Sequence, residues 1–182
     1  MSVKGETIRS LFRSAENLSV RRMANLLAPL GITPNQSEVL LVLDKYAPLT
    51  LKELGNLLIC EEKSPSRLVQ SLIKKGLVVG QTNQADKRSR LLSLTAKGKS
   101  LIEPANQKKA QFDAELLAKG FDLEALRDIL QIYVEGSFYE EKLRKAPCGR
   151  KRQMRMEQVT IRTASPSRKS MTSEKLSFLV RD

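Results

Sequence analysis

The sequence predicts a mainly α-helical protein with one small β-hairpin. Three observations point there. Aromatic residues make up only 4% of a chain that is 41% hydrophobic, so its core is one of Leu, Val, Ile and Ala, which suits helices better than a β-sandwich. Apolar residues recur at helical spacing through most of residues 7–145, broken by a single pair of short apolar runs around a charged stretch. Thr, Pro and Gly stand where helices would start and stop.

The elements follow in order. From Thr7 the residues Ile8, Leu11, Phe12, Ala15, Leu18, Met23, Leu26, Leu27 and Leu30 keep an approximate helical period that Pro29 and Gly31 end. Thr33-Pro34-Asn35-Gln36 reads as a capping box opening a second helix to about Tyr46, and Thr50-Leu51-Lys52-Glu53 as another, opening a short helix with Leu51, Leu54, Leu57 and Leu58 inward. After a polar interval from Cys60 to Ser64, the next helix turns Leu68, Val69, Leu72 and Ile73 inward, and Gly76 sits where a C′ glycine would close it. Pro65 fits only a first helical turn, which starts this helix near Glu61 to Ser64. Two helices joined by a tight polar turn make a helix-turn-helix candidate.

Leu77-Val78-Val79 and Leu91-Leu92-Ser93-Leu94 then read as the strands of a hairpin whose charged tip runs from Gln81 to Arg90. Thr95 caps a long helix through Leu101, Ile102, Ala105, Phe112, Leu116 and Leu117, which Pro104 should kink. Gly120 and Asp122 separate it from a last helix carrying Leu123, Leu126, Ile129, Leu130, Tyr133, Val134 and Phe138. Beyond about Lys145 the period disappears into Arg-, Lys- and Ser-rich sequence that buries too little surface to offset chain ordering. It reads as a disordered basic tail, or as the product of an altered reading frame.

Residues that are absent exclude much chemistry. The chain of 182 residues has no histidine, so Ser-His-Asp and Cys-His machinery, an imidazole base and a His-containing zinc site are ruled out. Its nine glycines form no phosphate-cradling loop. The carboxylates are scattered, and the expectation is a protein that is not an enzyme and carries no cofactor. Cys60 and Cys148 stand too far apart for a redox motif and too few for a disulfide framework. The apolar runs 26–32 and 39–43 fall far short of the ~20 residues that span a bilayer, and Met1 to Gly5 leads into no signal-peptide core. A soluble, cytoplasmic protein without membrane association is expected.

The charge is segregated. Against 32 Lys and Arg there are 20 Asp and Glu, for a net +12; residues 63–99 alone carry +8, residues 146–182 carry +6, and the remainder is left at −2. A nearly neutral body with a basic module and a basic tail points to a polyanionic partner, since phosphate backbones are bound by clustered Lys and Arg. A solvated face is the ordinary reading of any one charge run, but +8 within 37 residues exceeds an ordinary run.

The order of long helix, helix, helix-turn-helix, charged hairpin and two further helices resembles the MarR family of bacterial winged-helix transcription regulators over about residues 5–145. The stretch that carries the resemblance is Ser66-Arg67-Leu68-Val69 through Lys75-Gly76-Leu77-Val78, then Asp86-x-Arg88-Ser89-Arg90 and Leu94-Thr95-Ala96-Lys97-Gly98. The resemblance implies a winged helix-turn-helix domain over 33–95 and dimerisation helices over 1–32 and 96–145, which leaves the basic tail over 146–182 outside it. It implies a homodimer with intertwined terminal helices, a helix from roughly Lys63 to Lys75 in the major groove of double-stranded DNA, and a wing from Gln81 to Arg90 whose arginine reaches the minor groove. It also implies a repressor of inverted-repeat sites, relieved in many members by a small phenolic or carboxylate effector or by cysteine oxidation.

The residues themselves support that assignment. Lys63, Ser64, Ser66, Arg67, Gln70 and Lys74 are cations and short or forked hydrogen-bonders on the candidate recognition helix, where side chains reach bases and phosphates. Ser64 and Ser66 read equally well as helix caps. Arg88 stands at the hairpin tip, suited to a narrow minor groove, while Lys87 and Arg90 would meet phosphates. Asp86 would repel DNA unless paired with an arginine, so its expected job is to orient the wing. Glu61 and Glu62 favour the helix dipole but oppose phosphate contact. Cys60, beside Leu58 and Ile59, reads as a small buried side chain rather than a sensor. Arg13, Arg21 and Arg22 read as surface charges, with a carboxylate effector as their other use. The competing function is that of a sequence-independent architectural DNA-binding protein.

Overall fold

A computed structural model describes residues 5–59, 65–84 and 86–145. These form α1 (Gly5–Leu27), α2 (Pro34–Tyr46), β1 (Leu49–Thr50), α3 (Leu51–Leu57), α4 (Pro65–Lys74), β2 (Val78–Thr82), β3 (Arg90–Leu94), α5 (Ala96–Ser100), α6 (Ile102–Leu117), α7 (Leu123–Val134) and α8 (Phe138–Lys145). The expected tail and the interval 60–64 lie outside the described residues.

Helix ends follow local chemistry. After α1, Ala28–Leu30 make one 3-10 turn and Gly31 takes φ 68°, a left-handed conformation that glycine reaches without a Cβ penalty. Both capping boxes are present: the Gln36 amide donates to Thr33 Oγ1 at 3.2 Å and the Thr33 amide to Gln36 Oε1 at 3.1 Å, while Glu53 and Thr50 exchange the equivalent bonds at 3.3 and 2.7 Å. Gly76, at φ 69°, donates to Ile73 O at 2.9 Å and Leu77 to Leu72 O at 2.9 Å, a Schellman closure of α4 with Leu72 and Leu77 both buried.

The sheet has one more strand than expected. β2 and β3 form the antiparallel hairpin, with Val78 opposite Leu94 and Thr82 opposite Arg90. β1 adds to the free edge of β3, pairing Leu49 with Leu92 and Thr50 with Leu91, so β3 is the central strand. Two residues are too few to show an alternating pattern. The long helix expected after Thr95 is also divided, at Leu101, into α5 and α6. Pro104 has no N–H for the carbonyl four residues back and its ring clashes with it; the chain breaks there and Pro104 falls in the first turn of α6. Likewise Gly136, at φ 71°, splits the expected last helix into α7 and α8.

Leu27, Ile32, Val39, Leu40, Val42, Leu43, Leu54, Leu58, Val69, Leu72, Leu77, Val78, Leu92, Leu94 and Ala105 form one buried cluster, which lies among α2, α3, α4, the sheet and the ends of α1 and α6. α7 and α8 contribute no buried residue and α1 only Leu26 and Leu27. Instead α1 exposes Leu11 and Leu18, and α7 exposes Leu126, Ile129, Ile132 and Tyr133. No single helix among the described residues is long and apolar enough to cross a membrane.

Two polar ties fix the outer helices. Lys142 of α8 donates to Leu58 O at 2.7 Å beyond the end of α3, with its ammonium 4.8 Å from the centre of the Phe138 ring. Arg22 of α1 donates through both Nε and Nη2 to the Glu115 carboxylate of α6, so this arginine is committed within the fold. The Arg22 bonds hold the Glu115 carboxyl below its ordinary value of 4.5. A lowered folded-state value means the tie is present at neutral pH and is lost only as pH falls through that lowered value. A carboxyl NMR titration should place the Glu115 midpoint below 4.5, and Arg22→Ala should return it toward that figure.

Candidate nucleic-acid interface

α4 is amphipathic, and the burial of one side decides what the other presents. Val69 and Leu72 are buried and Leu68 is half-buried against α2 and the sheet. Residues three and four apart share a helix face, so Arg67, Gln70 and Lys74 come together on the outer side, all exposed. Ser66, second residue of α4, is half-buried and makes no side-chain hydrogen bond among the described residues. Lys63 and Ser64, like Cys60, Glu61 and Glu62, lie outside the described residues, and the helix is described from Pro65.

The hairpin tip is ordered by its own polar groups. Asp86 Oδ1 accepts from the Arg88 amide at 3.0 Å, and Asp86 O accepts from the Ser89 amide at 2.9 Å and from Ser89 Oγ at 3.0 Å. Asn83 closes the loop, donating through its amide to Ser89 O at 3.2 Å and through Nδ2 to Ser89 Oγ at 2.9 Å. Asp86 therefore orients the turn through a backbone N–H, not through an arginine side chain. Lys87, Arg88 and Arg90 are all exposed. The Arg90 stem lies beside Gly80, where a Cβ would stand 3.6 Å from Arg90 Cδ, in ordinary van der Waals contact. Neither α4's Arg67 and Lys74 nor the wing's Lys87, Arg88 and Arg90 makes an ion pair among the described residues, so five cations face outward without a carboxylate.

Two lysines of the basic module do otherwise. Lys75 Nζ donates to Gly31 O at 2.7 Å and to Gln36 Oε1 at 2.8 Å, and Lys97 Nζ donates to Lys75 O at 3.0 Å. Cations at a helix C-terminus meet its unpaired carbonyls and the negative end of its dipole. Gln36 Nε2 in turn donates to Ser71 Oγ at 2.9 Å, and Glu38 Oε1 accepts from the Ile59 amide at 2.6 Å just ahead of the segment that leads into α4. Gln36, Glu38 and these lysines have no signal in the sequence beyond a capping box and a charge count, because their partners lie 21 to 44 positions away.

The chain is closed at its hairpin base by Thr95, whose amide donates to Leu77 O at 3.1 Å and whose Oγ1 donates to Gly76 O at 2.7 Å. The Gly98 amide donates to Thr95 Oγ1 at 3.0 Å. α4 and the hairpin thus meet at one hydrogen-bonded junction.

Residues 32–98 match the family model described as a winged helix DNA-binding domain. The chain is 29% identical over 135 residues to the uncharacterized HTH-type transcriptional regulator YwoH of Bacillus subtilis, covering 73% of this chain and 97% of that protein. It is 32% identical over 91 residues to the multiple antibiotic resistance protein MarR of Salmonella typhimurium, covering 50% of this chain and 63% of that protein. Its fold is similar to that of a cysteine-to-serine variant of MarR from E. coli in complex with operator DNA, with a TM-score of 0.64 at 27% identity over 74% of this chain and 99% of the other. Element order, the three-stranded sheet with its hairpin and these likenesses agree, and together they support a MarR-family winged-helix transcription regulator.

Proposed function

We propose that this chain acts as a homodimer that binds an inverted-repeat site in double-stranded DNA, α4 reading the major groove and the wing the minor groove, and that it represses transcription there. The observation that carries the reading is the outward row Arg67, Gln70 and Lys74 on α4 beside Lys87, Arg88 and Arg90 on the wing. A guanidinium fork grips a guanine edge, an amide pairs with adenine, and lysines meet phosphates. Ser66 extends this surface in the first turn of α4, Lys63 and Ser64 are assigned to it from the sequence alone, and Asp86 sets the angle at which Arg88 leaves the turn.

The dimer is supported by the apolar residues that α1 and α7 leave exposed, Leu11 and Leu18 on α1 and Leu126, Ile129 and Ile132 on α7, beyond the stacking of Phe12 on Tyr133 within the chain. Two-fold symmetry is the commonest way to bury such a face, and a symmetric dimer presents two α4 helices to two half-sites. Repression is the direction we assign, since a dimer seated on its site excludes other proteins from it. Modulation by a small phenolic or carboxylate ligand belongs to the same reading: the cleft of about 310 Å³ between α3 and α8 is lined by the Phe138 ring and Asn56, and by Lys142 and Lys145, whose ammonium groups bond Leu58 O and the Glu141 carboxylate. The cytoplasm is where such a regulator meets the chromosome.

Arg67→Ala and Arg88→Ala test the assignment. Arg67→Ala should cost about 1–3 kcal/mol and relax preference at one base position per half-site. Arg88→Ala should weaken binding and flatten its salt dependence while leaving major-groove preferences nearly as they were. Both should leave thermal stability almost unchanged, as exposed charges contribute little to folding. Binding of each variant to a panel of single-base site mutants at several salt concentrations reads all of this. Unaltered affinity in both would remove α4 and the wing from the DNA-reading surface.

A further inference from the structure

We propose that Gln36 and Lys75 are positioning residues that set the specificity of α4, and that Lys75, although adjacent to Lys74 in the basic module, contacts no phosphate. The proposal rests on the reading of α4 as the base-reading helix.

In the sequence the two lysines are equivalent; in the fold they are not. At about 100° per residue, Lys74 lies within roughly 20° of Arg67 around the helix axis, whereas Lys75 lies roughly 80° away on the side of Ser71. There its ammonium gives two of its three donors to the protein, to Gly31 O at 2.7 Å and to Gln36 Oε1 at 2.8 Å. Gln36 is only 5% exposed and is the centre of the arrangement. Its Oε1 also accepts from the Thr33 amide at 3.1 Å, and its Nε2 donates to Ser71 Oγ at 2.9 Å. One side-chain amide of α2 thus holds α4 at two places, Ser71 and Lys75, while completing the cap of its own helix.

The energetics explain why this matters for specificity and not for attraction. Val69 and Leu72 anchor α4 by apolar contact, which is strong but non-directional and tolerates rotation about the helix axis. Hydrogen bonds are directional. Ser71 follows Gln70 and lies one helical turn beyond Arg67, so the bonds that fix Ser71 and Lys75 fix the azimuth of the side chains that would meet base edges. A base contact needs its donors placed within about 0.5 Å. Attraction to the phosphate backbone depends on charge and distance and survives small rotations. Loss of the Gln36 tie is therefore expected to erode discrimination and leave non-specific affinity intact.

The test uses the full chain and two duplexes of equal length, one enriched from a random library by the wild-type protein and one scrambled, with dissociation constants measured at four salt concentrations. Lys74→Met should weaken both duplexes alike and reduce the salt slope by about one. Lys75→Met should keep the wild-type slope and the wild-type affinity for scrambled DNA, while the ratio of specific to non-specific affinity falls by roughly tenfold, the loss of about one net hydrogen bond. Ser71→Ala, which removes no charge and leaves the core intact, should lower the ratio at unchanged slope in the same way, and it decides the matter if Lys75→Met does not fold. The proposal is overturned if Lys75→Met behaves as Lys74→Met, or if Ser71→Ala keeps the wild-type ratio. A wild-type chain that enriches no sequence overturns the base-reading role of α4 itself, an outcome distinct from a wild-type chain that discriminates and a Ser71→Ala variant that discriminates equally well.

Discussion

Leu126→Glu is expected to turn the proposed dimer into monomers and to abolish sequence-specific DNA binding with it. Leu126 lies on α7, a helix without a single buried residue, and shares its outer face with Ile129, Leu130 and Tyr133, of which Tyr133 is 73% exposed. A dimer interface over this face would take the new carboxylate out of water without a partner, at about 3–5 kcal/mol per uncompensated charge. Two-fold symmetry places two such charges in one interface, so dissociation should strengthen by several orders of magnitude. Sedimentation equilibrium at micromolar concentration reads the change directly. Leu11→Glu, on the exposed face of α1 at 59% exposure, should act in the same direction. Helical content by circular dichroism should hold in both variants, because neither side chain belongs to the buried cluster. A Leu126→Glu protein that remains dimeric places the interface elsewhere.

Gly98→Ala should be the most destabilising single-methyl change in the winged-helix lobe. A Cβ at Gly98 would stand 2.1 Å from Leu77 O and 3.1 Å from its carbonyl carbon, backbone atoms that cannot rotate away as a side-chain end can. The same carbonyl accepts the Thr95 amide at 3.1 Å, so relief requires α5 to part from the α4–β2 junction and Leu77 and Leu94 to shift in the core. A loss of about 2–4 kcal/mol is expected from overpacking together with strained hydrogen bonds. Urea denaturation followed by circular dichroism measures it, and a variant of wild-type stability would refute the close approach. This contact gives the pattern Leu94-Thr95-x-x-Gly98 its physical sense: threonine caps α5 and closes the hairpin, and glycine lets α5 lie against the end of α4.

What could be read from the residues alone was what is decided within a few positions. Thr33, Thr50 and Thr95 bond amides three residues on, and Gly31 and Gly76 turn the chain where they stand, so most helix ends were legible. β1 was not, since two residues carry no period and their partners Leu91 and Leu92 lie more than 40 positions away. Pro104 was expected to bend a helix, and the physical outcome was a break three residues ahead of it. At the site, the charge count gave equal weight to Lys74 and Lys75. Only the tertiary contact with Gln36, 39 positions earlier, separates a cation facing solvent from one that clamps the helix. Asp86 shows the same limit in miniature: it was expected to orient the wing, with an arginine side chain as its partner, and the bond it makes is to the Arg88 amide.

The central claim is that a two-fold dimer reads DNA through α4 and the wing, and selection of duplexes from a random library by the full-length chain bears on it most directly. Enriched sequences should contain two symmetric halves with centres about 10–10.5 base pairs, or a multiple of that, apart, and Arg67→Ala should enrich a family relaxed at one position in each half. Enrichment of no sequence, or of a single asymmetric element indifferent to Arg67, would contradict it.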